Sequence, residues 1–553
     1  MTAKRVLIVG GVAGGASCAT RLRRMDEDAK ITLLDRGHYV SFANCGLPYY
    51  VGNVILPESK LLLATPELFR DRFCIDVRTQ HEAIAIDREE KILHIRDLTN
   101  GTEYQEHYDS LVLSPGASPI LPAWAKTNMP GVFTVRSIPD SRALREWIET
   151  KEPTQAVVIG GGFIGLEIAE NLTQRGIHVT MLEAAPQVMP PMDPEMAIFA
   201  EEHLRNNGVD IRVGDPVEGL SSEGNRTKIR TRSGSIFASD MTVVAIGVRP
   251  EIALAESAGL KIGAHSGIRV DSSMQTSDPC IWAVGDAVEV QNQVTWEWGL
   301  LPLAGPANRQ GRIAADAICG RNRSFNGAMG TAVCGFFGMT IAMTGATEKT
   351  LHKAGMKDFE TVYLHPANHA GYFPGAEAIH IKLLFHKSTG RILGAQAVGG
   401  AGVERRIDVI SMAIQMQATV NDLEEADLCY APQFGSAKDA VNMAGMIASN
   451  VMRGDMELAP WHGIEETPAY LMDVREPSEF QADHIPGAVN IPLGKIRSSL
   501  NELPKDREIW VNCGVGQRAY YACRILSQNG FHAKNLSGGI QTYRTLHPAD
   551  KRG

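Results

Sequence analysis

Two stretches of this chain repeat one pattern: an apolar strand, a cluster of glycines, a helical segment, and a second strand that closes on an acid. They run from Val6 to Asp35 and from Val157 to Glu183. A strand that passes through glycines into a helix leaves unpaired backbone N–H groups at the positive end of the helix dipole, and a pyrophosphate is the ligand suited to that place. Two such βαβ units imply two dinucleotide sites and parallel sheets, so the fold class expected is α/β.

In the second unit the spacing G-x-G-x-x-G is complete at Gly160, Gly162 and Gly165. Glu183 follows about 20 residues on, where an acid accepts from a ribose 2′-OH and repels a 2′-phosphate. Ala184-Ala185-Pro186 comes next with no Arg or Lys, so NADH is expected rather than NADPH. The first unit, Gly10-Gly11-Val12-Ala13-Gly14-Gly15, has Val12 in place of the middle glycine and keeps Asp35 at the end of its second strand. Ser110 to Gly116 and Thr242 to Pro250 both read as strands that end in a turn, returning the chain to a sheet.

At 553 residues the chain exceeds what one hydrophobic core holds. Helices are expected over Ala304 to Ile318, Gly402 to Met416 and Phe434 to Met452, with a strand-rich texture beginning near residue 326. The formal charge of −9 comes without a long basic run, which argues against nucleic acid or an anionic membrane as the main partner. No export signal or membrane-spanning apolar run is visible, so a cytoplasmic location is expected. The nine cysteines include no C-x-x-C pair, which disfavours a structural zinc site and a secreted disulfide framework; no metal is expected.

Two cysteines stand in contexts that are not those of packed core residues. Cys45, in Ser41-Phe42-Ala43-Asn44-Cys45-Gly46-Leu47-Pro48, is expected in a shaped loop at the start of a helix, where the dipole favours a thiolate. No cysteine lies near it in sequence, so its redox partner must be external, or it must cycle through a sulfenic acid or persulfide. Cys513 follows the strand Ile509-Trp510-Val511-Asn512 and opens the loop Cys513-Gly514-Val515-Gly516-Gln517-Arg518. Successive N–H groups of such a loop make a cradle for a thiolate or persulfide.

The glycine motifs, Ser114-Pro115-Gly116, Ala245-Ile246-Gly247 and Ala283-Val284-Gly285-Asp286 occur in the order seen in two-dinucleotide flavin reductases. Residues 1 to about 450 resemble coenzyme A-disulfide reductases and their NADH-dependent persulfide reductase relatives. The segment with Asp473-Val474-Arg475-Glu476-Pro477, His484-Ile485-Pro486-Gly487 and Cys513 resembles rhodanese. The resemblance implies two Rossmann-like domains of the disulfide-reductase type, an α+β dimerisation domain and a C-terminal α/β rhodanese domain. Their expected bounds are 1–150 with 270–325 for FAD, 151–269 for NAD(P)H, 326–447 for dimerisation, 448–465 as a linker, and 466–553 for rhodanese.

What the resemblance implies for individual residues is specific. FAD would meet Gly10, Val12, Ala13, Gly14, Arg36 and Gly116, with Asp35 on the adenosine ribose and Asp286 on the ribityl chain; Gly247 would join the NADH set. Coenzyme A, held as a mixed disulfide with Cys45, would meet Ser17, Arg21, Arg24, Ser41, Asn44 and Lys438. Tyr372 and Tyr430 match tyrosines brought to the sulfur site from the other subunit of a homodimer. Cys513 would carry sulfane sulfur, with Arg518 fixing the loop or a substrate anion. The activity expected is NADH-dependent reduction of persulfide or polysulfide, with coenzyme A-disulfide reduction as the alternative. NADH peroxidases and oxidases share the scaffold, but the peroxidases carry a histidine where Ala13 stands. A redox-sensing or sulfur-carrier protein is the non-enzymatic alternative.

Overall fold

The structure, a computed structural model, describes residues 3–125, 129–224 and 226–548, so the first two residues of the expected FAD segment and the last five of the expected rhodanese segment lie outside the described residues. The chain divides into two compact units, 1–188 with 207–330, and 189–206 with 331–553.

In the first unit the strand Arg5–Val9 is central to a parallel five-stranded sheet ordered Ile281–Ala283, Ser110–Leu113, Arg5–Val9, Lys30–Asp35, Asp76–Thr79. Val6, Leu7, Ile8, Leu33, Leu34 and Leu111 are buried, the continuous apolar pattern of a sheet covered on both faces. Helix Ala13–Arg23 leaves the first strand and packs along helix Ala304–Ile318. The two approach closely because Gly311 has no Cβ, which would collide with the Gly14 carbonyl. A second parallel sheet runs Asp210–Val213, His178–Glu183, Gln155–Ile159, Met241–Val244, Val132–Phe133. Both sheets end their central strands at a glycine cluster, which is what places the two nucleotide sites.

The second unit holds an antiparallel sheet ordered Ala332–Phe336, Met339–Gly345, Ile392–Gly399, Ile379–His386, Phe359–Leu364, with helices Val403–Gln415 and Ala440–Met452. It also holds a parallel sheet ordered Glu457–Leu458, Ala533–Asn535, Ile509–Asn512, Tyr470–Asp473, Val489–Asn490. The edge strand Phe359–Leu364 meets the loop and helix that follow strand Ala533–Asn535. Tyr363 N donates to Ser537 Oγ at 2.8 Å, and His365 Nε2 lies 2.9 Å from Thr542 Oγ1.

Three boundaries differ from the sequence expectations. The expected linker 448–465 is largely ordered structure: helix Ala440–Met452 runs into it, and Glu457–Leu458 is an edge strand paired with Ala533–Asn535. A short strand of two residues has too little periodicity to be read from sequence. The helix expected from Phe434 begins instead at Ala440, because Asp439 caps it, accepting from Val441 N at 3.1 Å, while Arg406 holds the same carboxylate. Helix Pro194–Asn206, inside the expected NAD(P)H segment, packs with the second unit.

Candidate active site

The first glycine cluster is shaped by close backbone approach. Gly10 has φ +95°, and a Cβ there would strike the Ser114 carbonyl; a Cβ on Gly15 would strike the Gly10 carbonyl. Gly15, in the glycine motif but not among the residues expected to meet FAD, therefore supplies the helix-to-strand contact, while Gly14 packs under Val284 and Ser114. Val12 is the residue just before the helix. Asp35 accepts from Gly11 N and Gly37 N, both at 2.8 Å; burial pushes its carboxyl up, against those two N–H groups and Arg36. Arg36 itself is 3.5 Å from Glu251. Gly116, at φ +74°, and Asp286 both face Arg136. Gln310 accepts from Gly285 N at 2.7 Å and leaves its buried Nε2 unpaired. The glycine cradle, the held acid and this orphan donor fit a bound FAD.

The second cluster repeats the design. Gly160 has φ +110°, a Cβ on Gly165 would strike the Gly160 carbonyl, and the side-chain direction of Gly162 is open. Glu183 accepts from Gly161 N at 2.6 Å and Ala185 N at 2.7 Å. Gly247, at φ +114°, accepts from Ile120 N at 2.9 Å. The open face at Gly162 and the acid at the strand end fit a nicotinamide dinucleotide.

Cys45 is exposed and free, in the short turn Asn44–Gly46 that precedes helix Leu47–Val51. That helix is too short to lend much of a dipole, and the expected lowering of the thiol is not found. Burial raises it first, then the Glu167 and Asp286 carboxylates, while Arg136 lowers it. Arg136 organises the loop: Nη2 is 3.3 Å from Asp286, Nε donates to the Ala117 carbonyl at 2.8 Å, and the Asn44 amide donates to its carbonyl at 2.9 Å and accepts from Nη1 at 2.5 Å. Arg136 and Glu167 carry no motif and could not be read from sequence.

The residues aligned with coenzyme A contacts fall into three groups. Ser17 hydrogen-bonds Asn308, and Arg21 donates to Asp316 Oδ1 through Nε at 3.0 Å and Nη2 at 2.8 Å. Arg21 is thus neutralised inside the helix pair. Arg24 and Lys438 are exposed. Ser41, at φ +48°, donates from its N–H to the Gly11 carbonyl at 2.8 Å, and with Asn44 flanks the turn of Cys45.

In the second unit Tyr372 and Tyr430, 58 residues apart, meet with their hydroxyls 2.8 Å from one another. They remain 76% and 47% exposed, unusual for packed aromatics. A cavity of about 480 Å³ opens beside Tyr430, lined also by His369, Arg405 and Phe434.

At the C-terminal sheet, strand Ile509–Asn512 enters the loop and helix Gln517–Gln528 leaves it. Cys513 is buried, and its Sγ accepts from Gly516 N at 3.1 Å, a backbone donor of the expected kind. Arg518 donates through Nη1 and Nη2 to Glu479, each at 2.7 Å, which holds the Glu479 carboxyl down to about 2. The cation is therefore paired to helix Pro477–Ala482, outside the cysteine loop.

Comparison with known proteins agrees with this geometry. Residues 4–311 match the pyridine nucleotide-disulphide oxidoreductase family, 331–441 its dimerisation domain, and 461–545 the rhodanese-like domain. The chain is 32% identical to coenzyme A disulfide reductase of Staphylococcus haemolyticus, over 81% of this chain and 100% of that protein. It is similar to the crystal structure of reduced Bacillus anthracis CoADR-RHD (46% identity, TM-score 0.96, 99% of each chain). It also resembles an NAD-dependent persulfide reductase from A. fulgidus (37% identity, TM-score 0.90, 98% of this chain and 100% of that one). Two glycine cradles with their held acids, a cysteine turn beside them and a second cysteine in a backbone cradle are thus the parts of a flavin-dependent sulfur enzyme, and the chain belongs to the pyridine nucleotide-disulphide oxidoreductase family, extended by a rhodanese-like domain.

Proposed function

We propose that this chain is an NADH-dependent flavoenzyme that reduces persulfides and polysulfides, with coenzyme A as the thiol carrier at Cys45. The observation that carries the reading is the pairing of two free cysteines of opposite character. Cys45 is exposed in a turn held by Arg136, and Cys513 is buried with its Sγ accepting from Gly516 N. A disulfide substrate without sulfane sulfur gives the second no task. Similarity to a persulfide reductase over nearly the whole chain supports the same choice.

Bound FAD and NADH supply the two electrons. In the chain's own part of the reaction, the Cys45 thiolate attacks the inner sulfur of coenzyme A persulfide, forming Cys45–S–S–CoA and releasing HS⁻; reductive opening of that bond then returns Cys45 and coenzyme A as thiolates. Asp35 and Glu183 fix the two ribose ends, and Asp286 and Arg136 border the sulfur turn. The Tyr372–Tyr430 pair, presented across a homodimer interface, donates a proton to the departing thiolate. Arg24 and Lys438 offer cations to the coenzyme A phosphates, whereas Arg21 stays with Asp316. Cys513 carries sulfane sulfur, and Arg518 shapes its loop. No helix among the described residues is long and apolar enough to cross a membrane.

The test compares NADH oxidation by the full chain with coenzyme A persulfide, polysulfide and coenzyme A disulfide. A kcat/KM at least about tenfold higher for the sulfane substrates, a transition-state difference of about 1.4 kcal/mol, is expected. Equal rates with the disulfide refute the preference.

A further inference from the structure

The helix Phe163–Gln174 opens at the second glycine cluster, yet its residue Glu167 points away from the nucleotide motif and onto the Cys45 segment. Tyr49, four residues beyond Cys45 on helix Leu47–Val51, donates its hydroxyl to Glu167 Oε1 at 3.2 Å. The two helices pack on one another, and Gly52 lies so close to Asn171 that a Cβ would overlap its amide. Burial raises Glu167 first, the Tyr49 hydrogen bond lowers it, and Glu170 of the same helix raises it, leaving the carboxyl at about 7.

The other charged groups nearby are accounted for. Cys45 also faces Asp286 and Arg136. Arg145, from helix Ile138–Lys151, lies over the Tyr50 ring at 4.9 Å, and Arg175 donates to the Val51 carbonyl at 3.1 Å. On the strands behind the helix, Glu183 is held by Gly161 and Ala185, and His178 by Asp210.

We propose that Glu167 is a positioning residue for the chemistry of Cys45, a carboxyl that exchanges its own charge for that of the sulfur. When Glu167 holds a proton, a thiolate at Cys45 has one carboxylate fewer to repel it; when Glu167 ionises, the sulfur is driven back toward the thiol. The net exchange is Cys45–SH with Glu167–COO⁻ giving Cys45–S⁻ with Glu167–COOH, so no charge is added to the site when the nucleophile forms. This rests on Cys45 being the reactive sulfur, but not on which substrate it meets.

The experiment follows alkylation of Cys45 by iodoacetamide, read by mass spectrometry of its peptide, across the neutral pH range in the full chain with its FAD and without NADH or substrate. Alkylation tracks the thiolate fraction. In the natural protein the rise with pH should slacken near 7, where Glu167 ionises, and steepen again above. Glu167→Gln should abolish that break and speed alkylation at mildly alkaline pH by up to about tenfold, one unit of thiol ionisation. Glu167→Asp should keep the break. Tyr49→Phe removes a donor to the carboxylate and should move the break to higher pH. A Glu167→Gln profile that superimposes on the natural one, at equal FAD content and circular dichroism, overturns the proposal. Should that variant not fold, Tyr49→Phe decides: an upward move supports the proposal and an unmoved break overturns it. The substrate comparison above reads independently of this profile.

Discussion

Replacing Lys382 with Met should weaken the second unit more than any exposed substitution. Its ammonium is fully buried among three carboxylates, 2.9 Å from Asp193, 2.5 Å from Glu195 and 2.7 Å from Glu348. It holds the Asp193 carboxyl below the ordinary range. Those three acids lie close enough together to resemble a cation site, and Lys382 is the cation that fills it. Removing one partner of a buried ion pair leaves charge uncompensated and costs about 3–5 kcal/mol, which in a unit of this size lowers a thermal midpoint by roughly 10 °C. The assay is thermal unfolding of the full chain by circular dichroism. Glu348→Gln is the control: its side chain is 37% exposed, so its loss should cost within about 1 kcal/mol. The pH dependence has a definite sign. Asp193, with its folded value depressed, contributes stability above its unfolded value of about 3.9, and that contribution is lost as pH falls toward the folded value. Lys382→Met lacks this contribution and carries mutually repelling carboxylates, so the gap to the natural protein should narrow on acidification. A variant that melts within about 2 °C of the natural protein at neutral pH refutes the reasoning.

Gly165→Val should drive the helix off its strand at the Gly160 carbonyl and raise the NADH KM at least about tenfold, or about 1.4 kcal/mol, measured by steady-state titration. Glu479→Ala should release Arg518 and slow sulfur transfer from Cys513, read by cyanolysis of the persulfide. In the natural protein the clamp should persist well into acid, because the Glu479 carboxyl is held near 2 and its contribution is lost only as pH falls through that value. His365 and His380 sit 2.8 Å apart beside helix Gly539–Leu546, with burial lowering them to about 3 and about 4. The unfolded state takes up protons below about 6.5 while the folded pair stays neutral. Stability should therefore fall from that pH down to about 4, seen as a lower thermal midpoint by circular dichroism.

What could be read from the sequence was whatever is local. Gly10 and Gly160 with Asp35 and Glu183 complete their geometry within some thirty residues, and helix Ala304–Ile318 has the bounds its periodicity suggests. Cys513 sits between its strand and helix for the same reason. Contacts that depend on folding were invisible. Nothing in the spacing of Tyr372 and Tyr430 announces that their hydroxyls touch, and Arg21 reads as a free phosphate ligand until Asp316, from a helix 295 residues away, arrives to neutralise it. Arg136, Glu167 and Lys382 belong to no motif, and the partners of each are set by packing. The helix dipole expected to activate Cys45 failed because the helix is one turn long, and burial first, then the Glu167 and Asp286 carboxylates, raise the thiol.

The most direct test measures sulfide released from coenzyme A persulfide under NADH, in the full chain carrying Cys45→Ser or Cys513→Ser. The account predicts that the first variant releases no sulfide and oxidises no NADH, while the second keeps turning over free coenzyme A persulfide. Sustained release by Cys45→Ser would contradict it.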